Sequence, residues 1–405
     1  MVGLSIVYVV NTVYPFYDGG YERRFFELAR RLAMRGCSVT VFTSAPKNTF
    51  LNGVRFINVC SGGGFFTSYG FRSIGREARF SLNLLGRLMG CGDVVEEADI
   101  VEVNQTPPFH IFPVKLLANS LVVMTVHEDL IDYLDDYWRI RLNRLSSLKL
   151  HRVASMFSKS LYLEALKCAD HYVSPSRPTV KSLIRHGIDR RRISYIPNGI
   201  DVGLQEKYRS ESLNDKVVVS FLGRLVPEKR PEWIIYALRR ILKMNSKLSS
   251  CLEVNIIGSG PLAFFLERIV RDFGLDGVVK IRGYVSDDEK FRILSKSNIF
   301  CLPSRREGFS LALLEAMFFG AAPLVTVDPY RIGISGMLEL VSHLRSGYVA
   351  YGFNGFVEGL YRLIIDEDLR TMIGRNAMEI SRHYDWNNIA ALAENVYRKI
   401  LNLNL

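Results

Sequence analysis

The sequence has few cysteines and none of the close pairs that mark a metal site or a disulfide framework. Its 6 cysteines stand far apart; they are Cys37, Cys60, Cys91, Cys168, Cys251 and Cys301. Structural zinc sites and the disulfide scaffolds of small secreted proteins both need closely spaced cysteines. The spacing therefore predicts neither, and it favours a reduced protein inside the cell.

The sequence also lacks a long apolar run that is free of charge. The stretch from Ser310 to Val327 comes nearest to the length of a membrane span, but it contains Glu315 and is interrupted by Gly320 and Pro323. Such a stretch predicts a helix, a turn and a strand. The first residues, MVGLSIVYVVN, have no basic residue ahead of the apolar run and no small-residue cleavage site after it. This predicts a buried first strand and a cytoplasmic protein.

Acidic residues are fewer than basic ones. The 405 residues include 52 Lys and Arg against 41 Asp and Glu, a formal charge of +11. An excess of this kind favours an anionic partner, which on this observation alone is nucleic acid, an acidic membrane surface or a phosphorylated small molecule. The length suits two domains, since single domains seldom exceed ~250 residues.

Short Val- and Ile-rich runs alternate with longer helical patterns, as in parallel sheets built from βαβ units. One series of runs is predicted at Leu4–Val10, Ser38–Thr43, Val54–Val59, Asp99–Val103, Leu121–Val126 and His171–Ser174. A second series is predicted at Lys216–Leu222, Glu253–Ile257, Val278–Arg282, Asn298–Leu302 and Ala322–Thr326. Helices are expected to dominate after Gly347. The fold class is therefore α/β, with two doubly wound sheets.

A hinge between the two series is predicted at Ile196-Pro197-Asn198-Gly199-Ile200-Asp201, because Pro, Asn and Gly favour a turn. We place the first domain at residues 1–196 and the second at 197–384. Residues 385–405 are expected to form a closing helix that packs back toward the first domain. Ligands of such sheets bind at the carboxyl ends of the strands and in the cleft between domains.

Two candidate sites follow strands of the first domain. Gly19 and Gly20 open a helix after the first strand, where a phosphate or sugar can approach the backbone and the free N–H groups. The same glycines also suit a purely structural tight turn. His127 stands at the end of a later strand, where it can donate or accept hydrogen bonds near neutral pH. Alternatively, Glu128 or Asp129 caps the next helix and the histidine has no role in a site.

The second domain offers cations and a further glycine turn. Arg224 and Lys229 follow its first strand in FLGRLVPEK, where a guanidinium fork and an ammonium charge suit two phosphates. A solvated pair of surface cations is the alternative. Gly258 begins the turn Gly-Ser-Gly-Pro after the next strand, and this turn is equally compatible with a ligand or with structure alone.

The most informative constellation is EGFSLALLE, in which two carboxylates flank a helix start. Glu307 lies in the loop, and Glu315 lies about two turns into an apolar helix. A lone charge there is costly, so we expect Glu315 to have a buried partner such as ligand hydroxyls. The N–H groups of Phe309, Ser310 and Leu311 are suited to hold a diphosphate. A coincidental pair of acidic residues is the alternative.

In this order, the motifs resemble those of the retaining, GT-B-type glycosyltransferases of glycosyltransferase family 4, over nearly the whole chain. The matching segments are GGYERRFFELARRLAMRGCSVTVFT, VHED, VSPS, IPNGID, FLGRLVPEKR, IGSGP, GYVSDDE, LPSRREGFSLALLEAM and YDWNNIAALAENVY. The resemblance implies two Rossmann-like domains facing across a cleft. It also implies a nucleotide-sugar donor, a glycan or lipid-linked acceptor, and neither a cofactor nor an essential metal.

The resemblance also implies roles for individual residues. Arg224 and Lys229 are similar to the pair that neutralises the donor diphosphate. Glu307 and His127 resemble residues that contact the transferred sugar, and Glu315 the carboxylate that binds the donor ribose. The residues expected to line the donor site are Gly19, Gly20, Gly223, Gly258, Tyr284, Gly308, Phe309, Ser310, Leu311 and Glu315. A literal DxD stands at Asp366-Glu367-Asp368, where it is predicted to cap a helix instead of binding a metal.

The positive charge is concentrated in the first domain. Residues 137–192 hold 13 basic and 3 acidic residues. Among them, basic and apolar side chains are interleaved: Arg139, Arg141, Arg144, Lys149, Arg152 and Lys159 with Trp138, Leu142, Leu145, Leu150 and Phe157. This mixture predicts contact with an anionic membrane, at the inner face of the cell membrane. A solvated basic helix is the alternative, and nucleic acid is not expected as a partner.

Two other functional classes remain open at this stage. One is a nucleotide-sugar epimerase or phosphorylase on the same architecture. The other is a non-catalytic paralogue that binds nucleotide sugar as a partner subunit, because a fold does not fix a function. The carboxylate pair with Arg224 and Lys229 disfavours the first.

Overall fold

The computed structural model describes residues 3–61, 73–106, 108–142, 150–208, 215–328 and 335–403. They form two compact units. Unit 1 combines the described residues up to Pro197 with the C-terminal segment that begins at Trp386. Unit 2 holds those from Asn198 to Asp385. Arg144, Leu145 and Lys149 of the basic stretch lie outside the described residues, as does the segment 329–334.

Unit 1 is a sheet of mainly parallel strands with helices between them. Its strands are β1 Ser5–Val9, β2 Ser38–Thr43, β3 Thr49–Leu51, β4 Val54–Asn58, β5 Ile100–Asn104, β6 Leu121–Thr125, β7 His171–Ser174 and β8 Ile193–Tyr195. Its first helices are α1 Gly20–Met34, α2 Ile74–Gly90, α3 Gly92–Glu96, α4 Ile111–Leu117, α5 Ile131–Arg141, α6 Leu150–Cys168 and α7 Arg177–Arg185. The strand order is β3-β4-β2-β1-β5-β6-β7-β8, so the order reverses between β1 and β5.

Unit 2 is a second parallel sheet. Its strands are β9 Val217–Leu222, β10 Leu252–Ile257, β11 Val279–Gly283, β12 Ile299–Leu302, β13 Ala322–Val327 and β14 Tyr348–Tyr351. Its helices are α8 Leu204–Lys207, α9 Glu232–Met244, α10 Ala263–Asp272, α11 Asp287–Leu294, α12 Leu311–Phe318, α13 Met337–Leu340, α14 Gly352–Ile365 and α15 Glu367–Arg382. The strand order is β11-β10-β9-β12-β13-β14, with the reversal between β9 and β12.

The last helix, α16 (Trp386–Leu403), belongs to unit 1 and packs against α1. Its Tyr397 hydroxyl donates to Glu102 Oε2 at 2.5 Å, and Thr125 donates to the other oxygen of that carboxylate. Glu394 of the same helix pairs with Arg35 at 2.7 Å. Burial raises the pKa of Glu102, although both hydroxyl hydrogen bonds act against the shift. The helix therefore supplies a hydrogen-bond donor to a carboxylate at the centre of unit 1.

The long buried strands lie within one or two residues of their predicted positions, whereas the three strands β3, β8 and β14 were missed. The strand β3 is a three-residue edge strand joined to β4 by a two-residue turn, Asn52-Gly53, in which both residues have positive φ. An Asn-Gly pair is a strong signal for such a hairpin. The prediction of mainly helix after Gly347 is confirmed by α14, α15 and α16, and the short strand β14 before them extends the second sheet through its pairing with β13.

The buried histidine on β7 makes the stability of unit 1 sensitive to acid. Burial lowers the pKa of His171 to about 4 from an ordinary value of 6.5, and the charge of Arg192 adds to the effect. Because the unfolded chain takes up the proton first, the stabilisation is fully present above pH 6.5 and is lost progressively as the pH falls from 6.5 to about 4. We expect a loss of about 2 kcal/mol in the free energy of unfolding between about pH 7 and about pH 4.5.

Urea unfolding at these two pH values measures the loss. The matched variant His171→Gln keeps a polar group near Ser194, whose hydroxyl lies 2.9 Å from His171 Nε2, but it does not titrate. It should lose less stability than the unmodified chain over the same range. An equal loss in both proteins would contradict the assignment.

Within the described residues, no helix combines the length and apolar character needed to cross a membrane.

Candidate active site

The cation loop and the carboxylate loop of unit 2 start from neighbouring strands. The loop at residues 223–229 follows β9, and the loop at residues 303–310 follows β12. These two strands are adjacent, and the strand order reverses between them. Open α/β sheets bind ligands beyond the carboxyl ends of the strands at such a reversal. The topology therefore brings two motifs that are far apart in sequence to one place.

An ion pair joins these two loops. The half-buried Lys229 places its Nζ 2.5 Å from Oε1 of the buried Glu307. The backbone supports this contact, because Arg305 N donates to Glu228 O at 2.8 Å. A buried carboxylate needs a charged partner, and Lys229 supplies it. Two site residues predicted from separate motifs are therefore in contact.

Arg224 stands on the same loop with an exposed side chain. The backbone around it is fixed on both sides, since Val226 N donates to Arg224 O and Leu225 N donates to Ser259 O, each at 2.9 Å. A guanidinium on a fixed backbone in solvent is well placed to meet an incoming anion.

The glycines of unit 2 make a close backbone crossing. The register of β9 and β10 pairs Leu222 with Ile257, which sets Gly223 beside Gly258. A Cβ on Gly258 would lie 1.9 Å from the carbonyl oxygen of Gly223, and its φ of +135° disfavours any side chain. Gly258 N also donates to Gly283 O at 2.8 Å, next to the exposed Tyr284. These contacts show why the backbone requires a glycine at position 258. The role of Tyr284 in the donor site stays a prediction.

The start of α12 is capped by one of the predicted site residues. The Ser310 hydroxyl accepts a hydrogen bond from Leu313 N at 3.2 Å, so this side chain serves the helix. The ring of Phe309 lies 5.8 Å from that of Tyr384, and Gly308 separates it from Glu307. The N–H groups of Phe309, Ser310 and Leu311 remain a predicted diphosphate cradle.

The buried partner of Glu315 is a lysine that the sequence reasoning missed. Lys290 Nζ on α11 lies 2.9 Å from Glu315 Oε1, and it also lies 3.2 Å from Asp287. Both Lys290 and Glu315 are buried. Among the described residues, the second oxygen of Glu315 receives no hydrogen bond, which leaves it for a ligand hydroxyl. A signal for Lys290 does exist in the sequence, since it precedes Leu294 by four residues and so faces the core with it.

In unit 1, the predicted glycines and His127 both lie next to α1. Gly20 is the first residue of α1, with open space where a Cβ would be. A Cβ on Gly19 would lie 2.2 Å from the carboxylate of Glu22, and the role of this glycine at a ligand stays a prediction. The ring of His127 lies 5.8 Å from Tyr21 and 5.9 Å from Phe25, both on α1. The glycine turn and the end of β6 are thus connected through α1.

Asp129, two residues after His127, makes several hydrogen bonds at the start of α5. Asp129 Oδ1 accepts from Ile131 N at 2.9 Å at the start of α5, and its other oxygen contacts Ser182 and His186. Burial alone would raise the pKa of Asp129, but these hydrogen bonds outweigh it and lower the pKa. Asp129 therefore has a structural role at the start of α5, and the contact of His127 with a ligand stays a prediction.

The literal DxD is a helix cap, as predicted. Asp366 Oδ1 accepts from Leu369 N at 2.9 Å at the start of α15. In the part of the chain that the structure describes, no cluster of three or more His, Cys, Asp or Glu side chains is arranged to hold a metal ion.

Family comparisons agree with the order of these motifs. Residues 18–204 match the model described as Glycosyltransferase Family 4, and residues 205–380 match Glycosyl transferases group 1. The chain belongs to the family 4 glycosyltransferases. The resemblance seen in the sequence is confirmed.

Curated relatives of this family 4 glycosyltransferase include an uncharacterized glycosyltransferase of Methanocaldococcus jannaschii, 30% identical over 46% of this chain and 45% of the relative. A D-inositol 3-phosphate glycosyltransferase of Nocardioides is 26% identical over 58% and 55%. The chain thus spans about half the length of these first relatives. A D-inositol 3-phosphate glycosyltransferase of Kribbella flavida is 22% identical over 94% of this chain and 90% of the relative.

Solved structures confirm the GT-B fold. Sucrose-phosphate synthase of Thermosynechococcus elongatus has a TM-score of 0.77 at 17% identity, covering 99% of this chain and 100% of its own. Anabaena HepE, solved in complex with UDP-glucose, has a TM-score of 0.67 at 18% identity, covering 96% and 98%. At such low identity the likeness carries the fold alone.

Proposed function

We propose that this family 4 glycosyltransferase moves a sugar from a nucleotide-sugar donor to a hydroxyl of a glycan or lipid-linked acceptor. The anomeric configuration is retained and no metal ion is essential. The observation that carries the proposal is the contact of Lys229 with Glu307, at 2.5 Å, where the strand order of unit 2 reverses. This contact joins a cation for a phosphate to a carboxylate for sugar hydroxyls.

Sugar transfer requires positive charge near the leaving diphosphate. Cleavage of the bond between the sugar carbon and the donor diphosphate leaves negative charge on the diphosphate oxygens. Fixed cations that meet this charge lower the barrier, as a metal ion would. Arg224 and Lys229 take this role, and Lys229 also orients Glu307.

The remaining candidates hold the two ends of the donor. The free oxygen of Glu315 accepts ribose hydroxyls, and Lys290 keeps the carboxylate in place. The close backbone crossing of Gly223 and Gly258 borders the nucleotide, with Tyr284 beside the base. His127 donates to a hydroxyl of the transferred sugar. The UDP-glucose complex of HepE supports a donor of this class.

A ligand screen followed by product analysis tests the proposal. Thermal unfolding with UDP-, GDP- and ADP-sugars should show one base class that raises the unfolding temperature, because a bound donor stabilises the folded chain. With that donor and candidate acceptors, mass spectrometry should detect a glycosylated product, and NMR should show a retained anomeric configuration. The yield should be unchanged by a chelator.

Each other outcome contradicts a stated part of the proposal. A free epimer of the donor indicates an epimerase, and turnover that requires inorganic phosphate indicates a phosphorylase. Donor stabilisation without any product or donor hydrolysis identifies a binding paralogue. Loss of activity with chelator and its return with a divalent cation would overturn metal independence.

A further inference from the structure

Large, solvent-exposed apolar side chains are concentrated on three neighbouring helices of unit 1. Within the described residues, 20 large hydrophobic side chains are exposed, and eight of these lie on α2, α4 and α6. The eight are Leu82 and Met89 on α2, Phe112 and Leu116 on α4, and Leu150, Val153, Met156 and Phe157 on α6. Isolated exposed apolar residues are ordinary, whereas a group on neighbouring helices marks an interaction surface.

The three helices present these side chains in one direction. The helix α4 packs against both α2 and α6. All three bury their opposite sides in the same core on one face of the sheet, through Phe80 and Leu84, Ile111 and Val114, and Ala165 and Leu166. Their outer sides therefore point away from that face together.

The spacing within each helix confirms that the exposure follows one side. On α2 the exposed pair is seven residues apart, and on α4 it is four residues apart. On α6 the first three members are each three residues apart, and Phe157 follows Met156. Intervals of three, four and seven residues place side chains on the same side of a helix. We call this surface the apolar face.

Cations border the apolar face. Arg79 is exposed on α2 three residues before Leu82, which places the two side chains on the same side of the helix. Arg87 on α2 and Arg152 on α6 are also exposed, while the acidic residue of α2, Glu77, is buried. An apolar surface bordered by arginines matches a bilayer whose headgroups carry negative charge.

The arginines at the end of the basic stretch, Arg191 and Arg192, have a structural role. Arg192 donates to the carbonyl oxygens of Ala169 and Asp170, and Arg191 pairs with Asp189 at 2.6 Å. These residues hold the segment before β8 in place. The predicted contact through residues 137–192 is therefore better assigned to its α6 portion, together with α2 and α4, which lie outside that stretch.

We propose that the apolar face docks unit 1 on the surface of an anionic lipid bilayer. Leu82, Met89, Leu116, Met156 and Phe157 enter the boundary between headgroups and acyl chains, and the arginines contact lipid phosphates. A bilayer fits better than a protein partner, because the face consists of separate apolar side chains bordered by cations and needs no matching shape. The attachment does not depend on sugar transfer.

Vesicle sedimentation with the full chain tests this proposal. Vesicles of phosphatidylcholine with about 30% phosphatidylglycerol should bind the protein, and vesicles of phosphatidylcholine alone should bind it much less. Binding should weaken as salt rises. The variant Arg79→Glu/Arg87→Glu should lower the partition coefficient by about tenfold or more, since each cation near an anionic surface contributes about 1 kcal/mol. The variant Met156→Ser/Phe157→Ser should lower it at every salt concentration.

Matched controls come from unit 2. Met244 and Phe264 are 69% and 71% exposed, against 68% for both Met156 and Phe157. The variants Met244→Ser/Phe264→Ser and Arg268→Glu/Arg271→Glu should bind vesicles as the unmodified chain does. Circular dichroism and thermal unfolding confirm that all variants are folded.

Three outcomes would overturn the proposal. They are equal binding to neutral and anionic vesicles, a loss of binding in the control variants as large as in the test variants, and an absence of vesicle binding. If binding is absent and sedimentation velocity shows a dimer that Met156→Ser/Phe157→Ser dissociates, a second copy of the chain covers the face.

Discussion

The Arg224→Ala variant is expected to lose about a hundredfold to a thousandfold in kcat/KM for sugar transfer, with an unchanged unfolding temperature. The loss follows from removing a fixed positive charge at the point where the diphosphate gains negative charge. Because the side chain is exposed, its removal leaves no cavity in the core. Steady-state transfer assays with the donor found by the screen measure the effect, and thermal unfolding without donor checks the fold.

A second exposed arginine of unit 2 provides the control for charge. Arg271 on α10 lies outside the proposed site, and Arg271→Ala removes the same charge from the unit. This control should keep full activity. Full activity in Arg224→Ala as well would refute the assignment of Arg224 to the diphosphate, while an equal fall in both variants would indicate a general effect of charge on the donor.

Single variants of the Glu315–Lys290 pair should lower the free energy of unfolding, and the double variant should restore most of it. Lys290→Met leaves the buried Glu315 without its charged partner, which costs about 3 kcal/mol of unfolding free energy. Glu315→Gln should cost less, because Lys290 keeps its contact with Asp287. The double variant removes both charges, so it should recover most of that loss. Urea unfolding of the four proteins, analysed as a double-mutant cycle, measures the coupling.

Donor binding separates a structural pair from a site residue. If Glu315 accepts ribose hydroxyls, the rise in unfolding temperature with donor should vanish in Glu315→Gln and remain absent in the stable double variant. A double variant that responds to donor as strongly as the unmodified chain would show that Glu315 serves the fold alone. The remote pair Lys280 and Glu253, 3.1 Å apart, provides a control whose removal should leave the donor response intact.

The parts of the fold that sequence could predict are those with long, buried, apolar runs. Strand β2 was predicted with its observed bounds, and β9 and β13 to within one residue, because each is a nearly continuous row of buried side chains rich in β-branched residues. The three-residue strands β3 and β8 give no such run, and their positions depend on pairing with a neighbour. Strand β14 was obscured by its short length and by the helix that follows it immediately.

In the candidate site, residue types were easier to predict than their partners. Because burying a lone carboxylate is costly, a buried partner was correctly predicted for Glu315. The sequence alone did not identify Lys290, 25 residues earlier, as that partner. Similarly, Lys229 and Glu307 stood in separate motifs, and only the adjacency of β9 and β12 brings them together. The Ser310 hydroxyl caps a helix, which the sequence reasoning did not foresee, while the role of its N–H group at a diphosphate stays a prediction.

The position of α16 has a consequence for the order in which the protein is completed during synthesis. This helix contributes Tyr397 and Glu394 to unit 1, yet it is made after every residue of unit 2. While the ribosome is still translating unit 2, Glu102 and the surface of α1 that meets α16 lack their final neighbours. Unit 1 is thus begun first and finished last, and a stop codon just before Trp386 would damage the N-terminal unit instead of the one it follows.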